Sequence, residues 1–476
     1  IIPLSFLSVA LAAALPPQNF VNTAIARTVE LGGSVTHVTT QYNVKALVDG
    51  PGEYHLALGG DGDPEPAWWE VLIAGKPAEE LEAADGSAPT VKVPLGDLKK
   101  GDSVTVSLNA LQGHASVPLP NEIAQRDPQY LVWTSNSTYV DSWYPADVER
   151  IKVRSPTPNI LSHSEVPSTY TRDNTVTKAS STITLGPFHA LPATLGDGVE
   201  RQSFNVHFET KEPVMGVRSL RRSAEVSHWG ANLNIQDEVH LVNNGPKLKG
   251  HFSRLEHQQS RFHASKPAQI LTDLTLRMPP SAHSAYYYDT IGNVSTSHFR
   301  QGSTPAQQAK SSKVRTSSRA VEGALELRPR YPLLGGWNYT FTVGWDMPLG
   351  DVLKVDGEKQ VLGVPFLTGW KDILVDDAEL KIILPEGARD VEVFTPFPVD
   401  SITHSTHKTY LDTTGRHAVT IKKSLATENH AQTIFVTYSY PLSAHLQKPL
   451  AVCAVVAGLF ILGAGLRRVD MGIEKK

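Results

Sequence analysis

Ser103-Val-Thr-Val-Ser-Leu108 alternates apolar and polar side chains with a period of two, which gives an extended segment one dry face and one wet face. The period recurs in Val91-Lys-Val93, Ile151-Lys-Val-Arg154, Phe204-Asn-Val-His-Phe208, Tyr339-Thr-Phe-Thr-Val343, Val419-Thr-Ile421 and Ile434-Phe-Val-Thr-Tyr438, with turn residues between the segments. The 33 prolines and 35 glycines fit many short elements joined by turns. Helical spacing is rare: Gln258 to Leu276 reads as a helix leading into a strand, and Leu119 to Leu131 as a short helix. These patterns predict a mainly β protein of antiparallel sheets. A chain of 476 residues exceeds one ordinary domain. Two β-sandwich-like domains are expected, residues 16–224 and 225–446, with the boundary drawn where Arg221-Arg222 gives way to Glu225-Val-Ser-His-Trp229.

Forty-four basic against 48 acidic residues, a formal charge of -4 with no long basic run, argue against a general nucleic-acid binder. Apolar residues at 40% suffice to fill a core. A single cysteine, Cys453, excludes an intrachain disulfide framework and a Cys-rich zinc site. Gly302 to Gly323 is rich in Ser, Gln, Ala and basic residues without an aromatic, and reads as a surface loop.

The two ends place the chain. Residues 1–15, IIPLSFLSVALAAAL, are uncharged, too short to span a bilayer, and carry Ala12 and Ala14 in a small-x-small pattern, so a signal peptide is expected. Its first residue is Ile and no basic stretch precedes it, so the signal is expected to begin upstream. Pro449 to Leu466 is an uncharged run of about 27 Å as a helix, close to a bilayer core of about 30 Å. Its nine Leu, Ile, Val and Phe residues supply about -4 kcal/mol of apparent insertion energy. Arg467 and Arg468 follow at once, which makes residues 467–476 a cytosolic tail by the positive-inside rule and leaves the bulk outside the cytosol, a single-pass type I arrangement. Ala451, Ala454, Gly458 and Gly465 fall within about 60° on a helical wheel, a stripe of small residues along which another helix could pack. Three Asn-x-Ser/Thr sequons, at Asn136, Asn293 and Asn338, lie in the outer segment and are N-glycosylation candidates.

No catalytic, cofactor-binding or metal-binding constellation stands out. Asp61-Gly-Asp63 has the form of a metal-holding carboxylate pair, yet its Gly- and Pro-rich setting reads as a turn. Trp68-Trp69-Glu70 reads as an aromatic pair on a strand, and His404 and His407 as solvated loop histidines. His-Glu-x-x-His, Gly-x-Ser-x-Gly and phosphate-loop patterns are missing.

Longer blocks carry a resemblance. Glu225-Val-Ser-His-Trp-Gly230, Leu248-Lys-Gly-His-Phe-Ser-Arg254, Tyr287 to His298, Arg328 to Trp337, Ile382-Ile-Leu-Pro-Glu-Gly-Ala388 and Tyr410-Leu-Asp-Thr-Thr-Gly-Arg416, in this order, resemble the ribophorin I family, subunit 1 of the oligosaccharyltransferase complex. Only ten residues follow Leu466, so the resemblance is to the short-tailed fungal members, and ribosome docking through a tail is not carried over. The resemblance implies an endoplasmic reticulum membrane protein with two β-rich lumenal domains. It implies no cofactor and no chemistry of its own, a polytopic catalytic subunit and other subunits as partners, and nascent polypeptides and the lipid bilayer as further contacts. A free-standing lumenal chaperone or receptor and a membrane-tethered β-sandwich hydrolase are the other readings.

Overall fold

The computed structural model describes residues 16–468 apart from 61–64, 79–80, 85–87, 172–175, 196–198, 263–266, 268, 305–319, 358, 410–411 and 413. The expected signal peptide, the Asp61-Gly-Asp63 turn, most of the Gly302–Gly323 loop and most of the tail lie outside these residues.

Alternating segments pair into two eight-stranded sheets of the same topology. In the first, the order is Val176–Ala179, Thr182–Leu191, Ala146–Arg154, Phe20–Glu30, Val35–Ala46, Ser103–Gly113, Trp68–Ile73, Lys76–Pro77. The second runs Ser401–His407, Arg416–Ala426, Leu374–Glu386, Met215–Ser227, Asn232–Asn243, Asn338–Pro348, His283–Asp289, Gly292–Asn293. In both, the third and fourth strands in the order pair in parallel. The neighbouring pairs are antiparallel.

The smaller sheets repeat as well. A four-stranded sheet ordered Ile160–His163, Phe204–Thr210, Gln129–Ser135, Ser116–Pro118 corresponds to Arg389–Phe394, Thr433–Ser439, Lys359–Pro365, Leu353–Asp356. A three-stranded sheet ordered Glu53–Ala57, Thr90–Pro94, Glu82–Ala84 corresponds to Leu274–Met278, Gly323–Leu327, Ser297–Arg300. The chain therefore carries one β unit twice. The connection from Arg300 to Gly323 is much longer than its counterpart from Ala84 to Thr90, and a Ser303–Val321 bridge pins its base with two backbone bonds of 2.9 Å.

Each unit buries the inward residues of its three sheets in one core. Ile25, Tyr42, Val106, Tyr54, Trp133 and Phe208 meet in the first, and Leu220, Ile235, Leu276, Trp345, Val364 and Val436 in the second. The division falls between Val214 and Met215. The boundary expected at 224/225, where Arg221-Arg222 gives way to Glu225, lies inside the continuous strand Met215–Ser227, in which Arg221 is exposed and Arg222 buried. Arg222 is fully buried: Nε and Nη2 each donate to Asp237 at 2.6 Å, Nη1 donates to the Pro365 carbonyl at 2.9 Å, and the guanidinium lies 5.3 Å from the Trp345 ring centroid. One member of the basic pair thus forms an interior ion pair tying the hairpin to the four-stranded sheet. The helix expected from Gln258 begins earlier, at Arg254, and ends at Phe262 before the strand Leu274–Met278. Leu119 to Leu131 is not helical; it holds a cis Leu119–Pro120 bond, the short strand Glu122–Ile123 and the start of Gln129–Ser135.

Between the units, Val35, Ala67, Leu111 and Leu374 form a small separate apolar cluster. His37 Nε2 lies 3.0 Å from Asp372 Oδ1 and His114 Nε2 lies 2.8 Å from Asp376 Oδ1. The bond to Asp372 raises the His37 pKa, so that pair is strongest on the acidic side.

Glu149 is an acid inside the first core. It is 1% exposed, accepts a 2.9 Å bond from the Val140 N–H, and burial pushes its pKa up to about 8 against that bond and the Arg27 charge. The folded chain keeps this proton between about pH 4.5 and 8, where the unfolded chain has lost it, so stability falls as pH rises through that window by up to about 1.4 kcal/mol per unit. Glu149→Gln has no proton to lose and is expected to flatten that slope. Thermal unfolding from about pH 5 to pH 8 should show the variant overtaking the wild type at the alkaline end.

Candidate functional site at the foot of the second unit

The last strand of the second unit, Thr433–Ser439, runs through Tyr440 and Pro441 into a helix at Leu442–Arg468. This helix starts seven residues ahead of the apolar run expected from Pro449 and contains that proline. Proline cannot donate the bond that residue 449 would give to the carbonyl four residues back, which belongs to His445. The Trp229 indole Nε1–H donates to that carbonyl at 3.1 Å. The indole also stacks on the His445 ring, with centroids 4.7 Å apart and planes within 4°. One side chain of the second β unit therefore occupies the acceptor that the helix leaves open.

Charge reinforces the junction. Lys448 Nζ lies 2.8 Å from Asp412 Oδ1 and 3.9 Å from Glu386 Oε2. Arg416 Nε donates to Asp412 Oδ1 at 3.3 Å, and its Nη1 pairs with Glu225. Asp412 also accepts the Thr409 N–H and hydroxyl, both at 2.9 Å, and Glu386 accepts the Thr414 N–H at 2.6 Å and hydroxyl at 2.9 Å. Burial alone would raise the Asp412 pKa, but the bonds from Lys448 and Thr409 and the Arg416 charge outweigh it and hold the carboxyl well below the usual range. Asp412 therefore stays ionised across physiological pH. Close packing completes it: Gly387 has φ +90° and a Cβ there would stand 2.6 Å from the Ala444 Cβ, so only glycine admits the helix at this distance.

Three blocks that carried the resemblance, Glu225–Gly230, Ile382–Ala388 and Tyr410–Arg416, converge here, although the sequence singled out none of Trp229, Glu386, Asp412, Arg416 or Lys448 as site residues. Their common signal is Pro449 placed just after a cation, at the border of an uncharged run.

The expected site residues are scattered. Asn136 is exposed in the bend after Gln129–Ser135 and lines a cavity of about 240 Å³. Asn293 and Asn338 are exposed on strands of the second large sheet. Their main chains are held, Asn293 O by Arg330 Nη2 at 3.0 Å and Asn338 O by the Tyr331 hydroxyl at 2.8 Å. Ala451, Ala454, Gly458 and Gly465 all lie on the long helix, where a Cβ at Gly458 or Gly465 would meet nothing within 4 Å. His404 and His407 sit on the edge strand Ser401–His407 rather than in a loop, and strand alternation sends them to opposite faces. His404 Nδ1 is paired with His417 Nε2 at 3.0 Å. Trp68 packs edge-on to His430 with centroids 4.9 Å apart, and Trp69 Nε1 donates to Glu65 at 3.1 Å. Among the described residues no three His, Cys, Asp or Glu side chains converge as a metal site.

A repeated β unit fixed to the head of one long apolar helix defines a two-unit β protein with a C-terminal helix long and apolar enough to cross a membrane. The ribophorin I family matches residues 20–467, and the chain belongs to that family. A Caenorhabditis elegans protein named dolichyl-diphosphooligosaccharide–protein glycosyltransferase subunit 1 is 29% identical over 457 residues, 94% of this chain and 72% of its own length. The subunit 1B of Oryza sativa subsp. japonica is 31% identical over 401 residues, 84% of this chain and 77% of its own. Among solved structures, a yeast LTA4 hydrolase aligns with 43% of this chain and 31% of its own at 13% identity, with a TM-score of 0.27, too loose to bear on function.

Removing one partner of a buried ion pair strands the others. Asp412→Ala leaves Lys448 and Arg416 without their shared carboxylate and is expected to destabilise the second unit by about 3 kcal/mol. Trp229→Phe, which keeps a six-membered ring against His445 but removes the donor to its carbonyl and the rest of the indole, is expected to cost about 1 kcal/mol. Thermal unfolding of the detergent-solubilised chain ranks the two.

Proposed function

We propose that this chain is a subunit of the oligosaccharyltransferase complex that performs none of the transfer chemistry. Its two β units stand in the endoplasmic reticulum lumen, its helix crosses the membrane, and it supports transfer of a preassembled glycan from dolichyl diphosphate to Asn-x-Ser/Thr of nascent chains. The carrying observation is the family match over residues 20–467, with relatives named as subunit 1 of that transferase. The foot of the second unit supports the reading: its charged side chains are bound to one another and to the helix, an arrangement suited to holding an ectodomain in place. The helix presents no buried residue within the chain, so the stripe Ala451, Ala454, Gly458 and Gly465 is open to a neighbouring helix.

The wild-type chain, recovered in mild detergent, is expected to bring down a polytopic transferase and to drop in mass on deglycosylation, through Asn136, Asn293 or Asn338. Gly458→Leu fills the stripe and is expected to reduce co-recovery. A lone chain with hydrolytic activity would favour a tethered hydrolase, and a lone inactive chain a chaperone or receptor.

Holding of acceptor chains is read from an edge. Ser401–His407 ends the second large sheet, pairs on one side with Arg416–Ala426, and is exposed along nearly its whole length. It contains no proline and no Asp, Glu, Lys or Arg, two of the devices that block edge pairing. An extended polypeptide can add to it as a further strand. A photo-crosslinker at Thr406 is expected to capture nascent glycoproteins in active complexes; capture at an equal rate from an exposed site off the edge, such as Asp351, would reduce the role to scaffolding.

A further inference from the structure

Beside the Trp229–His445 contact, the foot of the second unit and the helix enclose a pocket of about 290 Å³. One wall belongs to the second β unit, with Trp229, His228 and Tyr440 as its aromatic members, His228 stacked on one face of Tyr440 with centroids 4.6 Å apart. The other is Pro449 and Val452, the opening turn of the uncharged run that ends at Leu466. With the helix across a bilayer, that turn lies where headgroups meet acyl chains, and the pocket opens at that level. Aromatic side chains with one polar and one apolar end collect at this depth. Trp229 is 58% exposed and uses one face on His445, so its other face is open.

The charges around the pocket come in both signs. Glu225 and Glu386 supply two carboxylates, and Arg416 and Lys448 two cations. An anionic headgroup would meet two like charges and a cationic one likewise, whereas a zwitterion can match both. Lys448 is 33% exposed at its side chain, which leaves its ammonium room for an oxygen besides Asp412. A quaternary ammonium is drawn to an aromatic face, above all to an indole.

We infer that this pocket seats the headgroup of a zwitterionic glycerophospholipid, its ammonium toward Trp229, Tyr440 and the two carboxylates, its phosphate toward Lys448, and its acyl chains along Val452 and down the helix. The site rests on the proposed membrane crossing and adds to it a bound lipid wedged between ectodomain and helix.

The test uses the full chain reconstituted in nanodiscs of equal parts palmitoyl-oleoyl phosphatidylcholine and phosphatidylglycerol, then extracted in mild detergent and weighed by native mass spectrometry. The wild type is expected to retain phosphatidylcholine over phosphatidylglycerol by about tenfold, equivalent to 1.4 kcal/mol. Val452→Trp, which fills the pocket from a position 60% exposed, is expected to abolish the preference, and Trp229→Ala to weaken it. Carbonate-resistant membrane retention, measured in parallel, is expected for all three chains. Equal retention of both lipids by a carbonate-resistant wild type, or a preference untouched by Val452→Trp, overturns the lipid site alone. A crosslinker at Val452 that captures a neighbouring subunit in the intact complex, with no lipid retained, also overturns it. Carbonate extraction of the wild type overturns the membrane reading together with the site.

Discussion

The carbonyl of His445 is the point on which the arrangement of ectodomain and helix depends. A proline four residues on removes its helical donor, and an indole N–H from the hairpin turn of the second unit replaces it. The ion network of Lys448, Asp412, Arg416 and Glu225 then fixes the direction in which the helix leaves the sheet. Together they turn what would be a flexible tether into a bracket.

The duplicated unit explains where the bracket could arise. Both copies share strand order and the single parallel pairing, so each has a hairpin turn after its fourth sheet strand, at residues 31–34 in the first unit and 228–231 in the second. The first copy turns its hairpin toward the second unit, where the Ser34 hydroxyl donates to the Met215 carbonyl and His37 meets Asp372. The second turns the equivalent position to the helix. One scaffold thus meets the other unit in one copy and the C-terminal helix in the other.

Buried ionisable groups are committed to structure in both units. Arg222 and Asp237 satisfy each other and the Pro365 carbonyl, burial raises the Glu149 pKa, and the charges at the foot pair with one another. A perturbed acid often marks a reacting site, but Glu149 is 1% exposed and accepts its bond from a neighbouring backbone N–H inside the core.

By itself the sequence determined what depends on short range. Alternation in Ser103–Leu108 or Phe204–Phe208 specifies a strand with one dry face, and the uncharged stretch from Pro449 specifies a helix whose sides all stay apolar, because both patterns act between near neighbours. The blocks around Glu225, Ile382 and Tyr410 carried the family without telling what they do. Tertiary structure alone decided that these blocks meet, that Arg222 is interior while Arg221 is exposed, that the unit boundary falls at Val214, and that the halves are copies of one topology. Strand order is set by pairings between residues far apart, such as Gly216 with Leu374, which leave no periodic trace along the chain. A tryptophan reaching a carbonyl two hundred positions away is of the same kind: each partner looks ordinary until the fold brings them into register.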